Sequence, residues 1–201
     1  MQFQSVIDDL ARQGWALQEN FISGDTVQAL AGECRQRVAA GRLVPAGIGR
    51  AGAQAVDEAV RGDHIQWLEP GQSPASDAWL ARMEQLRQTL NRTFFLGLEE
   101  FECHFAFYPP GTFYKTHLDR FRDDDCRTVT AVAYLNEQWQ PADEGCMRMY
   151  LEQGGTLDIP PRGGTLVVFL SGEIRHEVLP TRAGRLSVTG WFRRRCWPVA
   201  D

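Results

Sequence analysis

Lysine is almost absent from this 201-residue chain: Lys115 is the single example, and arginine supplies nearly all the positive charge. The formal net charge is −5, which argues against nucleic acid or an anionic membrane as partner, since both select a basic face. Arg193, Arg194 and Arg195 make only a local patch. Long apolar runs are missing too, and no stretch nears the ~20 residues that a membrane-spanning helix needs. The opening "MQFQSVIDDLARQGW" carries acidic residues where a secretion signal requires a basic start and an apolar run. Cysteines are few, odd in number and without CxxC spacing (Cys34, Cys103, Cys126, Cys146, Cys196). That pattern predicts reduced thiols in a reducing compartment, and so a cytoplasmic protein.

What is present has the composition of a globular protein: 43% hydrophobic and 23% charged residues, with no low-complexity tract and no repeat. One domain over residues 1–201 can bury a core at this length without disulfides or a structural metal. The first half reads helical. After Ser23, apolar residues at Val27, Leu30, Ala31, Cys34 and Val38 make one helix face. A second helix starts near "SPASD", with Ser73 or Ser76 as N-cap and Pro74 in the first turn. Its stripe is Trp79, Leu80, Met83, Leu86 and Leu90, and both stripes read as packing surfaces. Between the helices a Gly- and Ala-rich segment without firm period predicts a mobile loop, followed by a strand in "DHIQWLE".

From Phe101 the period changes to two. "FECHFAFY", "RTVTAVAYL", "CMRMYL", "TLDIP", "TLVVFL" and "RLSVTGWF" are short strands parted by Pro, Gly or acidic turns. Strands in series with helices gathered ahead of them predict an antiparallel sandwich or small barrel buttressed by helices. Alternation puts Arg185, Ser187, Thr189 and Trp191 on one face of "RLSVTGWF", against Leu186, Val188 and Phe192 on the other. In "RTVTAVAY" one face holds Thr128, Thr130, Val132 and Tyr134. Such polar faces meet either water or an internal pocket.

The segment "THLDR" holds His117 and Asp119, two residues that can share a metal ion when the backbone is extended. Alone, H-x-D is a common pattern on loops. His176, in "SGEIRHEVLP" after an apolar strand, offers a third ligand at a barrel rim, and Arg185 follows nine residues later. Three such ligands on one face of ferrous iron leave three positions open, enough for a 2-oxo acid and dioxygen. Arg185 is either a surface arginine or a bidentate partner for a second carboxylate of that acid, with the Tyr134 hydroxyl as a further donor.

With "YPPGTFYKTHLDR", "RTVTAVAYLNEQW", "EGCMRMY" and "RHEVLPTRAGRLSVTGWF" in place, the chain resembles the 2-oxoglutarate- and Fe(II)-dependent oxygenases. "RGDHIQW" and Y-L-N-x-x-W narrow the likeness to the prolyl hydroxylase branch, which holds the animal hypoxia-sensing enzymes and bacterial relatives that modify elongation factor Tu. The resemblance implies a mostly β double-stranded β-helix (a jelly-roll or cupin-like barrel) over residues 96–196, with helical support, a lid and the first strands in residues 1–95. It implies Fe(II) on His117, Asp119 and His176, with Arg185 and Tyr134 on the distal carboxylate of 2-oxoglutarate. Tyr108, Thr130, Met147, Val178, Thr189 and Trp191 match pocket-lining positions. Arg61, Asp63, Tyr114 and Trp191 match positions toward the peptide substrate, with residues 43–60 as a closing lid. Dioxygen is the second cosubstrate and ascorbate supports activity. The partner implied is a prolyl loop of a cytoplasmic protein such as elongation factor Tu, met by a monomer. One departure is a segment between Tyr108 and His117 one residue shorter than in the animal enzymes. Two other readings stay open: an oxygenase of a free amino acid or another residue, and a non-enzymatic metal- or oxo-acid-binding barrel.

The remaining polar residues have plain readings. His104, on the polar-facing side of "FECHFAFY", reads as a satisfied structural histidine ahead of a pocket-lining one, and His64 as an ordinary strand residue. Arg122–Asp125 form a solvated turn, and Trp15, Trp67, Trp79 and Trp139 serve packing.

Overall fold

The computed structural model describes residues 3–47, 55–120 and 126–195. Among them are three helices, α1 (Gln4–Gln13), α2 (Gly24–Ala39) and α3 (Pro74–Phe94). Eleven strands follow in chain order: β1 (Trp15–Gln18), β2 (Val44–Pro45), β3 (His64–Trp67), β4 (Leu98–Tyr108), β5 (Tyr114–His117), β6 (Arg127–Tyr134), β7 (Met147–Tyr150), β8 (Thr156–Ile159), β9 (Leu166–Leu170), β10 (Arg175–Val178) and β11 (Arg185–Arg194). They form a seven-stranded antiparallel sheet in the order β1-β9-β6-β11-β4-β3-β2 and a four-stranded one in the order β5-β10-β7-β8.

The helices begin where the sequence places them. Ser23 caps α2 through its hydroxyl to the Thr26 amide, and Ser73, not Ser76, caps α3. Their stripes pack on one face of the large sheet: Leu30, Cys34, Trp79, Met83, Leu86 and Leu90 share a core with Val129 and Ala131 of β6 and Val188 and Phe192 of β11. The opposite face meets the small sheet, where Val132 and Tyr134 of β6 pack with Met147 and Met149 of β7 and Phe169 of β9. Two sheets face to face beneath a helical layer make the jelly roll that the family resemblance implies. No helix among the described residues is long and apolar enough to cross a membrane.

Several expectations need correction. The N-terminal segment contributes α1 and then β1, which pairs with β9 at one end of the large sheet. Part of the 43–60 segment is regular, since β2 pairs with β3 and Ala46 is buried; residues 48–54 lie outside the described residues, as do 121–125 with the "RDDD" turn. Not all cysteines are free: Cys34, Cys103 and Cys146 are thiols, but Cys126 is disulfide-bonded.

Candidate active site and metal centre

Strand pairing builds the centre. β5 and β10 run antiparallel with His117 directly opposite His176, so cross-strand geometry brings their rings to 4.3 Å between centroids. Asp119 lies just past the end of β5, its carboxylate oxygens 3.4 Å from His117 Nε2 and 3.7 Å from His176 Nε2. One ligand atom from each of the three falls within 4.8 Å of the others. Each imidazole is oriented through its other nitrogen: Nδ1 of His117 sits 2.7 Å from the Lys115 carbonyl and Nδ1 of His176 3.1 Å from that of Ile174. A carbonyl only accepts, so Nδ1 carries the proton and Nε2 offers its lone pair inward. Thr130 donates to Asp119 Oδ2 at 2.8 Å, holding the carboxylate in place. Burial alone would raise the Asp119 pKa, but His176, His117 and Thr130 outweigh it and keep the group ionised. Burial pushes His176 down to about 4, so it is neutral at pH 7. Two imidazoles and a carboxylate on one side of a cavity can hold a divalent ion and leave its other positions open.

Arg185 occupies the inner end. It is 2% exposed, and its Nε donates to the Gly145 carbonyl at 3.0 Å. Gly145 has φ +68°, and a Cβ there would lie 2.8 Å from Thr181, so the close turn beneath the guanidinium requires glycine. Asn136, the residue after "YL", fixes the start of β11 by accepting from the Leu186 amide at 2.8 Å and donating to the Leu186 carbonyl at 3.0 Å. The guanidinium carbon lies 5.0 Å from the Tyr108 ring centre and 5.1 Å from that of Tyr134. Among the described residues no carboxylate pairs with Arg185, and the buried Tyr134 hydroxyl has no partner. Burial raises Tyr134 to about 12, outweighing the nearby Arg185, so the phenol remains a donor. A buried cation and an unmatched donor side by side are what an incoming carboxylate satisfies.

A cavity of about 360 Å³ joins the two ends. Of the residues singled out in the sequence, His117, Asp119, His176, Arg185, Tyr108, Met147, Val178, Thr189, Trp191, Arg61, Asp63 and Tyr114 line it. Thr130 and Tyr134 are held just behind, Thr130 through Asp119. The shortened segment before His117 leaves Tyr108 buried in the wall. Arg61 and Asp63 reach the rim paired with one another, at 2.6 and 2.9 Å, and the Arg61 guanidinium lies over Tyr114, which stacks on His117 at 3.7 Å.

Two plain readings fail here. His104 lines the cavity with its Nε2 unpartnered, so it is not a satisfied structural histidine. Trp67, 42% exposed, is cavity wall and not core. Arg127 was not foreseen: its guanidinium lies 3.5 Å from the Trp191 ring centre and it also lines the cavity. An irregularity in the β6–β11 register beside it breaks the alternation from which inward residues were read.

A model of the 2OG-Fe(II) oxygenase superfamily matches residues 103–193. The hypoxia-inducible factor prolyl hydroxylase of Caenorhabditis elegans is 31% identical over 206 residues, taking in 94% of this chain but only 28% of the nematode protein. The crystal structure of a Pseudomonas putida prolyl-4-hydroxylase superposes with a TM-score of 0.89 at 57% identity, covering 97% of this chain and 100% of that one. The chain belongs to the 2-oxoglutarate–Fe(II) oxygenase superfamily. Within the superfamily, a prolyl hydroxylase from Trichoplax adhaerens, solved with a hypoxia inducible factor peptide fragment, shares the fold at 24% identity and a TM-score of 0.85, over 94% of this chain and 88% of that one. Both oxygenase reactants fit the side chains present: the ligand triad suits Fe(II), and the Arg185–Tyr134 pair suits one carboxylate of 2-oxoglutarate.

Proposed function

We propose that this chain is a peptidyl-prolyl 4-hydroxylase of cytoplasmic proteins. The observation that carries the reading is a His117–Asp119–His176 cluster facing a cavity that ends in a buried arginine with no carboxylate partner among the described residues. The 57% identity to the Pseudomonas putida enzyme supports proline as the target. The motif likeness noted above makes elongation factor Tu the first substrate to test.

In this reading His117 and His176 hold Fe(II) through their Nε2 atoms and Asp119 through its carboxylate. Arg185 and Tyr134 take the distal carboxylate of 2-oxoglutarate by charge and by hydrogen bond, which orients the oxo acid toward the metal. Tyr108, Thr189, Val178 and Met147 shape the space around it, while Arg61, Asp63, Tyr114 and Trp191 border the peptide. Bound iron, 2-oxoglutarate and dioxygen supply the oxidising power that turns a prolyl C4–H into C4–OH, with release of succinate and carbon dioxide. The chain's own work is placement and exclusion of water, so no side chain is assigned as acid or base. Ascorbate is expected to sustain turnover by keeping iron ferrous.

Incubation with Fe(II), ascorbate, 2-oxoglutarate and elongation factor Tu should add one oxygen mass to a proline-containing peptide of the partner. Succinate formation with no proline gaining mass on any of a panel of cytoplasmic proteins would reject the prolyl assignment and leave an oxygenase of other substrates.

A further inference from the structure

His104 lines the cavity but has no part in the metal or oxo-acid chemistry. On β4, Tyr108, Ala106 and His104 face the same way, opposite Arg185, Ser187 and Thr189 of β11. Four residues of strand separate Tyr108 from His104 by roughly 13 Å. An oxo acid held at Arg185 and reaching toward the metal therefore occupies the Tyr108 end, and His104 lies in the part left for the primary substrate.

His104 is 1% exposed. Its Nδ1 lies 3.1 Å from the Phe105 carbonyl, which only accepts, so Nδ1 holds the proton and Nε2 bears a lone pair. That Nε2 has no partner among the described residues, and neither has the Nε1–H of Trp191. Both rings belong to one aromatic wall: His104 meets Trp67 edge-on at 5.1 Å and Trp191 at 5.4 Å. Burial, followed by the Arg61 charge, lowers the His104 pKa to about 4, so at pH 7 the ring is a neutral acceptor. A buried acceptor beside a buried donor, each unmet, is complementary to the N–H and C=O of a peptide backbone.

We propose that His104 is a substrate-positioning residue whose Nε2 accepts a backbone N–H of the bound peptide, with Trp191 Nε1 donating to a neighbouring peptide carbonyl. This rests on the prolyl reading above. A prolyl residue within a chain has no N–H, so the donor comes from a residue flanking the target, and a second proline at that flanking position is rejected.

The test is steady-state kinetics of wild type, His104→Leu and His104→Gln on elongation factor Tu and on synthetic proline-centred peptides, each peptide also made with single backbone amides replaced by esters. His104→Leu should raise the peptide KM about tenfold, with kcat and the 2-oxoglutarate KM within about twofold, and His104→Gln, which keeps an acceptor, should recover most of the loss. One ester position should raise the wild-type KM about tenfold and leave the KM of His104→Leu nearly unmoved. Prolyl hydroxylation with the same peptide KM in His104→Leu as in wild type overturns the proposal and leaves the prolyl reading standing. If His104→Leu does not fold, the ester scan on wild type decides alone, and absence of any sensitive amide overturns it. If wild type oxidises no proline, the prolyl reading falls and the peptide donor assigned here falls with it.

Discussion

Single side chains divide into those legible from spacing and those whose meaning depends on what surrounds them. His117 and Asp119 stand two apart, and both ligate-capable groups reach the same point as expected. His104 could not be read that way, because an unpartnered Nε2 shows only once the neighbouring strands are in place. The Thr130 hydroxyl holds Asp119, so Thr130→Val should weaken metal binding by about 10–100-fold while keeping the side-chain volume. Anaerobic titration with Fe(II) measures this, and an unchanged affinity would show that the hydrogen bond does not matter. Arg185→Lys should raise the 2-oxoglutarate KM by at least about tenfold, since an ammonium cannot reproduce the planar fork. His104 also sets a pH dependence. Its pKa falls from 6.5 to about 4 on folding, so the unfolded chain binds a proton there that the native state refuses. Its contribution to stability is complete above about pH 6.5 and declines as pH drops toward 4. Urea midpoints should fall less steeply over that window in His104→Leu than in wild type; equal slopes would contradict the assignment.

Elements were legible in proportion to their length and period. The α3 stripe spans five apolar positions over several turns, and the helix forms with Ser73 as its cap. In contrast, α1 buries only Val6, Ile7 and Leu10, and β1 is a four-residue strand whose identity comes from its pairing with β9. β5 and β10 are equally short, and their meeting is set by register across distant sequence. Leu86 is fully buried between α3 and the large sheet, so Leu86→Ala should cost about 2–5 kcal/mol in denaturant unfolding without altering the KM for 2-oxoglutarate. Gly190 sits between Thr189 and Trp191, where a Cβ would lie 2.5 Å from Cys103 Cβ and 2.7 Å from the Glu102 carbonyl. Gly190→Ala should therefore force β4 and β11 apart and cost about 1–3 kcal/mol, with the peptide KM rising alongside. A variant as stable and as active as wild type would contradict the tight β4–β11 packing.

The whole molecule is a helical layer, a large sheet and a small sheet, and the site opens between the two sheets. Alternation within β6 and β11 does both jobs at once: one face supplies the core under the helices, and the other supplies the cavity. That dual use is why a polar face in the sequence could be read as pocket as readily as surface, and only the small sheet lying over it decides between them. The central claim is that the two histidines, the aspartate and the arginine act together on one iron and one oxo acid. Anaerobic absorption spectroscopy tests it most directly, because an Fe(II)–2-oxoglutarate chelate has a visible metal-to-ligand charge-transfer band. Wild type with Fe(II) should develop that band as 2-oxoglutarate is added, saturating at one per chain, and His176→Ala should not. Binding of 2-oxoglutarate without the band, or an undiminished band in His176→Ala, would contradict the account.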